Sequence, residues 1–186
     1  MRIWTNAVCV AAALATLVPS GAVRAEDVPV TLSGGHDIGK DDHGRPCVLI
    51  AAALGVKTEA FREAFAGVTP AKNGKPSGEE ARKNKEALMK VLRPLDVTND
   101  RLDEVSNYYR FKPQDGELWK HADAKAHAVV EGGKVVKIVV DEAGAGYTVP
   151  PKVTVKGFEK TEFVVALRFD RDLKKNGAIE SIAVKK

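Results

Sequence analysis

The stretch Ala126–Gly157, AHAVVEGGKVVKIVVDEAGAGYTVPPKVTVKG, decides how this chain is built. It reads as strand, tight turn, strand, glycine corner, strand. Valine and isoleucine fill the runs, while Gly132-Gly133, Gly144, Gly146 and Pro150-Pro151 punctuate them, which is the pattern of hairpins. The residues before it carry helical periodicity. The residues after it make a second, shorter pass of the strand pattern. Runs of helices followed by runs of strands predict an α+β fold, with about four N-terminal helices packed on a small, mainly antiparallel C-terminal β-sheet.

The strand pattern repeats. Gly133–Val140, GKVVKIVV, and Gly177–Val184, GAIESIAV, both fit G-x-[VI]-x-x-I-x-V. Each copy changes parity: Val135 is odd, whereas Ile138 and Val140 are even. Strict alternation would send them to opposite faces. A β-bulge at Val136-Lys137, and another at Glu180-Ser181, would return all the apolar residues to one side. The corner Gly144-Ala145-Gly146-Tyr147 lacks the Lys-Ser/Thr of a phosphate loop and the third glycine of a dinucleotide fingerprint. Tyr147 is expected to pack over the prolines that follow.

The series G-x-V-x-x-I-x-V, G-x-G-Y-x-x-x-P and V-x-V resembles a short β repeat of bacterial secreted and surface proteins and of phage tail proteins. The resemblance covers Ala124 to Val184 and none of the helical half. It implies a structural or binding module and brings no catalytic residues with it. The N-terminal half resembles stretches of uncharacterised secreted bacterial proteins, which implies nothing further about activity.

The beginning of the chain reads as a secretion signal, residues 1–25. Arg2 supplies the positive start, Ala7–Val18 the apolar run, and Val23-Arg24-Ala25 the small residues before a cleavage site. The run is short of the roughly 20 apolar residues that span a bilayer. Cys9 lacks the residues expected before a lipidated cysteine. Secretion would place the protein in the periplasm, at the cell surface or outside the cell, with no membrane-spanning segment left. Loss of Arg2 and Arg24 takes the 29 basic residues to 27 against 25 acidic ones, a net charge of +2. So even a balance argues against a nucleic-acid partner. Only Cys47 remains, and it lies in the apolar run PCVLIAAAL, where a free thiol is expected to be buried.

Residues 26–45 hold an extended run, VPVTL, readable as an edge strand, and then the loop SGGHDIGKDDHGRP. His36, Asp37, Asp41, Asp42 and His43 crowd into this glycine-rich segment. They are the candidate metal ligands. Three carboxylates with loop carbonyls suit Ca2+; the two histidines suit Zn2+. The spacing fits neither a helix–loop–helix calcium loop nor a metal-dependent phosphohydrolase. Without a metal, the cluster is a solvated turn whose charges are offset by Lys40 and Arg45.

Residues 46–111 read as helices. Pro46 suits a first turn, and Val48, Leu49, Ala52 and Ala53 form an apolar face that stops at Gly55. Thr58 reads as the next cap, with Phe61 and Phe65 sharing a core face. Ser77 and Glu80 form a capping box for a third helix lined by Ala81, Leu88, Val91 and Leu92. Thr98 to Asp100 cap a fourth, with Leu102, Val105 and Tyr109 inward and Asp103 and Glu104 on an acidic face. Residues 112–123 connect this region to the β half, residues 124–186. Tyr108, Tyr109, Trp119 and Tyr147 are the candidate ligand contacts if exposed, and core if buried.

Taken together, the sequence points to a non-enzymatic binding or structural module with a protein, glycan or matrix partner. The alternative is a secreted hydrolase or metal-dependent enzyme using the His36–His43 loop with Cys47 or the Asp103/Glu104 face. Convergence of that loop and the acidic helix in one pocket would favour the enzyme.

Overall fold

The computed structural model describes residues 25–69, 76–112 and 115–185. Residues 1–24, which contain nearly all of the expected signal, lie outside these ranges. Within them the chain is α+β: four helices precede most of the strands, and every strand pair is antiparallel. Among the described residues no helix is long and apolar enough to cross a membrane.

The hairpin of β2 (Lys125–Glu131) and β3 (Lys134–Glu142) turns on Gly132-Gly133. Both glycines have positive φ, 56° and 72°, as a two-residue turn of this hand requires. Val130 faces Val135, but Val129 faces Lys137, so Val136 is the extra residue of a bulge. Val136 is thrown outward and half-exposed, while Ile138 returns to the core. The hairpin of β5 (Phe163–Arg168) and β6 (Ala178–Val184) has its shift at the corresponding place. Leu167 faces Ile179 and Ala166 faces Ser181, which leaves Glu180 out and keeps Ile179 and Ile182 buried. The bulges correct the parity of both apolar rows.

The first strand is not at an edge. β1 (Glu26–Ser33) lies inside a four-stranded sheet of order β3-β2-β1-β4, where β4 is Lys152–Val155. Its first half pairs with β2 and its second with β4. The alternation that suggested an edge reports only that one face is half-buried. Pro29, with no N–H to give, stands at the hand-over, where one side of the strand is unpaired. The β5–β6 ribbon continues from the end of β3: the Ile179 N–H donates to the Ala143 carbonyl at 2.8 Å. Ala128, Ile138, Val155, Val165, Ile179 and Ile182 fill the core over these strands.

α1 (Cys47–Leu54) is the centre of the helical half. It is buried nearly all round, at Cys47, Leu49, Ile50, Ala51, Ala53 and Leu54, so it has no single apolar face of the kind its spacing suggests. Gly55, φ 75°, ends it, and a side chain there would collide with the Arg171 guanidinium. Arg101 donates to the otherwise open carbonyl of Ala53. α2 (Thr58–Ala66) has Lys57 rather than Thr58 as its N-cap and carries no side-chain cap. α3 (Gly78–Leu92) carries the Ser77/Glu80 box, with Glu80 N–H to Ser77 Oγ at 3.2 Å and Ser77 N–H to Glu80 Oε2 at 2.7 Å. Met89 and Leu92 are its buried residues, whereas Ala81 is exposed. α4 (Asn99–Tyr108) is capped by the Thr98 hydroxyl and buries Leu102 and Val105.

The halves meet at Asn176, which has no solvent exposure. Its amide donates to the Leu49 carbonyl and the Tyr109 hydroxyl, and its Oδ1 accepts from Asp170 N–H. Its own carbonyl accepts from Gly146. Helix, strand corner and the 169–177 connection are thereby tied at one buried residue.

Candidate functional site

The acidic histidine loop does not gather its five polar residues. After Gly34 and Gly35, both at positive φ, the chain turns His36 toward the β half. Its ring stacks on Tyr147 with centroids 4.8 Å apart and lies 4.7 Å from the ring of His121. Its Nε2 is buried and has no hydrogen-bond partner among the described residues. Burial, and then the neighbouring His121, push its pKa down; Asp123 and Asp37 oppose this. Asp42 goes the other way. It is buried in a short 3-10 turn, Lys40–Asp42, accepts from Gly39 N–H at 3.1 Å and pairs with Arg62 Nε of α2 at 2.7 Å. Asp37, Asp41 and His43 are exposed. His43 sits in the left-handed region at φ 46°, with its ring 6.5 Å from Phe65.

The candidate metal ligands His36, Asp37, Asp41, Asp42 and His43 are thus not gathered into one cluster among the described residues. Closeness in sequence brought no closeness of ligand atoms, because the loop is wrapped between two halves that each take one of its residues. Among the described residues, no three His, Cys, Asp or Glu side chains stand together as metal ligands would. The positive charge that offsets Asp42 is Arg62, not the Lys40 or Arg45 expected from sequence.

Cys47 is buried, and its thiol donates to the Asp42 carbonyl with Sγ 3.6 Å from the oxygen. Burial and Asp42 push the thiol up to about 12, so it carries no nucleophilic thiolate near neutrality. On α4, Asp103 pairs with Lys85 at 2.6 Å and Glu104 with Arg101 at 2.6 Å. That face is spent on helix contacts; it shares a groove with Arg45 of the loop, but His36 and His43 do not line that groove.

Three of the four aromatic contact candidates belong to the core. Tyr109, Trp119 and Tyr147 are buried, and each polar tip has a partner inside. Trp119 Nε1–H donates to the Gly146 carbonyl at 2.8 Å, and the Tyr147 hydroxyl accepts from Ala124 N–H at 3.0 Å. Tyr109 takes the Asn176 amide. Rings satisfied in this way seat the helices on the sheet. Tyr108 alone stays half-buried, with Lys120 Nζ 4.9 Å from its ring centre.

The most ligand-like feature is one that sequence did not indicate. A groove of about 310 Å³ opens between α2, α3 and α4. Core residues Ile50, Phe61 and Leu102 form its floor, and half-buried Phe65 and Leu88 form its walls. Phe65, expected to be core, stacks on Phe61 with centroids 5.9 Å apart but keeps an open side. The groove is braced by Lys85–Asp103 between α3 and α4. The Asn84 side chain, bonded to both backbone groups of Thr69, is a second brace. Arg45 and Arg110 stand at its rim, and the Arg45 guanidinium lies over Phe65 at 5.9 Å. Burial and then Arg110 lower the Arg45 pKa.

Other hollows are more open or already satisfied. That beside the histidine loop, about 320 Å³, is lined by the Asp42–Arg62 pair itself. Another, about 470 Å³, follows the charged side of α3. No protein-family model matches the chain, and no curated protein or solved structure is significantly similar to it.

Proposed function

We propose that this protein is a secreted, non-enzymatic binding module of the bacterial envelope or exterior, with its ligand held in the groove between α2, α3 and α4. The supporting observation is the groove: a concave site with an apolar floor and a few polar groups at its rim is the usual form of a ligand pocket. The resemblance of the β half to a repeat of secreted and surface proteins points the same way. In this reading the bulged hairpins are scaffold, and Asn176 fixes the helices to them.

The hydrolase alternative has less support. Its nucleophile candidate is a buried thiol with a raised pKa, and its acids are bonded to Arg62, Lys85 and Arg101. The two readings separate experimentally. Nile red, a neutral apolar dye, is expected to brighten on binding the protein at micromolar concentration. Ala81→Trp, which fills the groove mouth from an exposed position, should remove that signal without unfolding the protein. Dye binding indifferent to Ala81→Trp would count against the groove. Turnover of nitrophenyl ester or phosphate substrates, lost on His36→Ala, would establish the hydrolase instead.

A further inference from the structure

We infer that the groove takes a carboxylate bearing an unbranched apolar chain, a fatty-acid anion, with its head between Arg45 and Arg110 and its chain along Phe61, Phe65 and Leu88. This rests on the groove being the binding site, and adds the ligand's chemical class.

Charge is the first ground. Arg45 and Arg110 line one groove, and neither pairs with a carboxylate among the described residues. The residues outside the described ranges contain no Asp or Glu. Arg45 is half-buried and pressed on Phe65, so its charge is partly removed from water with no anion in return. Elsewhere Arg62, Arg82 and Arg101 each have an acid, and Arg93, Arg168 and Arg171 have none among the described residues, so it is their shared place on one apolar groove that sets Arg45 and Arg110 apart. Two guanidiniums converging without an acid form a receptor for a planar, bidentate anion.

The shape is the second ground. Beyond the arginines the groove is apolar, and a small inorganic anion would leave Phe65 and Leu88 uncovered. At about 310 Å³ it lies at the low end for ligand pockets, which fits one chain rather than the two of a membrane lipid. The third ground selects the head group. Asp103 and Ser106 line the same groove as Arg110, on one side of α4 and its last turn. Asp103 is held by Lys85 but still carries charge, so it repels a phosphate dianion more than a carboxylate. The Ser106 hydroxyl, lining the same groove, supplies a donor for the second carboxylate oxygen.

The test is displacement of Nile red from the whole protein at pH 7.5, below micelle-forming concentrations. Decanoate should displace the dye, 1-decanol should be at least about tenfold weaker, and acetate should not compete. Arg45→Gln and Arg110→Gln should each weaken decanoate by about tenfold and weaken decanol far less, so that the preference for decanoate over decanol is lost. Dye bound in the groove but displaced equally by decanoate and decanol would overturn the anion inference and leave the groove standing. Decyl phosphate binding tenfold tighter than decanoate would overturn the choice of carboxylate. Loss of dye binding in the unmodified protein would remove both the site and the inference.

Discussion

The Asn176 side-chain amide donates to the Tyr109 hydroxyl at 2.9 Å, with both residues fully buried. The same amide nitrogen donates to the Leu49 carbonyl at 2.7 Å, and the Asn176 oxygen accepts from Asp170 at 3.1 Å. Replacing Asn176 by Ala would strand a buried hydroxyl and a buried carbonyl, and a part-buried N–H. The expected loss is about 3 kcal/mol, against about 1 kcal/mol for Tyr109→Phe, which removes a single bond. In the double variant the two losses should sum to less than their separate values, since they share one bond. Urea unfolding of the four proteins measures this; an Asn176→Ala variant as stable as the parent would contradict it.

Asp42 and Arg62 make a different kind of pair, with the acid buried and the arginine about a third exposed. Solvent on the arginine side limits what the pair contributes. Arg62→Ala is expected to cost about 1–3 kcal/mol, because it leaves a buried carboxylate with only Gly39 N–H. Since Arg62 already neutralises this carboxylate, millimolar calcium should not raise the melting temperature of the unmodified protein. A rise of several degrees would restore the loop as a cation site.

Cys47 gives a kinetic prediction. A buried thiol pushed up to about 12 should not react with an aromatic disulfide reagent at pH 8 while the protein is folded. One equivalent should react from this residue once denaturant is added. Fast reaction in the native state would show an accessible, activated thiol and revive the enzymatic alternative.

Histidines 36 and 127 should oppose one another in their pH dependence. His36 is held below the ordinary 6.5, chiefly by burial. The unfolded chain therefore binds a proton more readily there than the folded one, so its contribution is present above 6.5 and lost as pH falls from that value toward the folded pKa. His127 is raised, first by its hydrogen bond to Asp141, so its contribution is present below 6.5 and lost as pH rises through the folded pKa. NMR titration of the imidazole carbons should place His36 below His127. His36→Phe, which keeps an aromatic ring against Tyr147, should flatten the acid-side fall in stability. The reverse order of titration would contradict this.

What could be read from sequence was local. The parity change around Val136 and Glu180 is a matter of two residues, and both bulges lie where it put them. The Ser77/Glu80 box needs only three residues. Asn176 was hidden, because the run Arg171–Asn176 reads as an ordinary insertion and its partner Leu49 is 127 positions away. Polar residues clustered at 36–43 suggested a shared ligand, but proximity along an extended loop says nothing about where side chains point. The groove was equally hidden: Arg45 and Arg110 flank separate helices, and only the packing of α1 against α4 brings them to one rim.

The most direct measurement of the groove's role is a map of amide chemical shifts during titration with decanoate. Perturbations should concentrate on Phe65, Leu88, Ser106 and Arg110, with the β hairpins unmoved. Perturbations centred on His36–His43, or none at saturating decanoate, would contradict a ligand site between α2, α3 and α4.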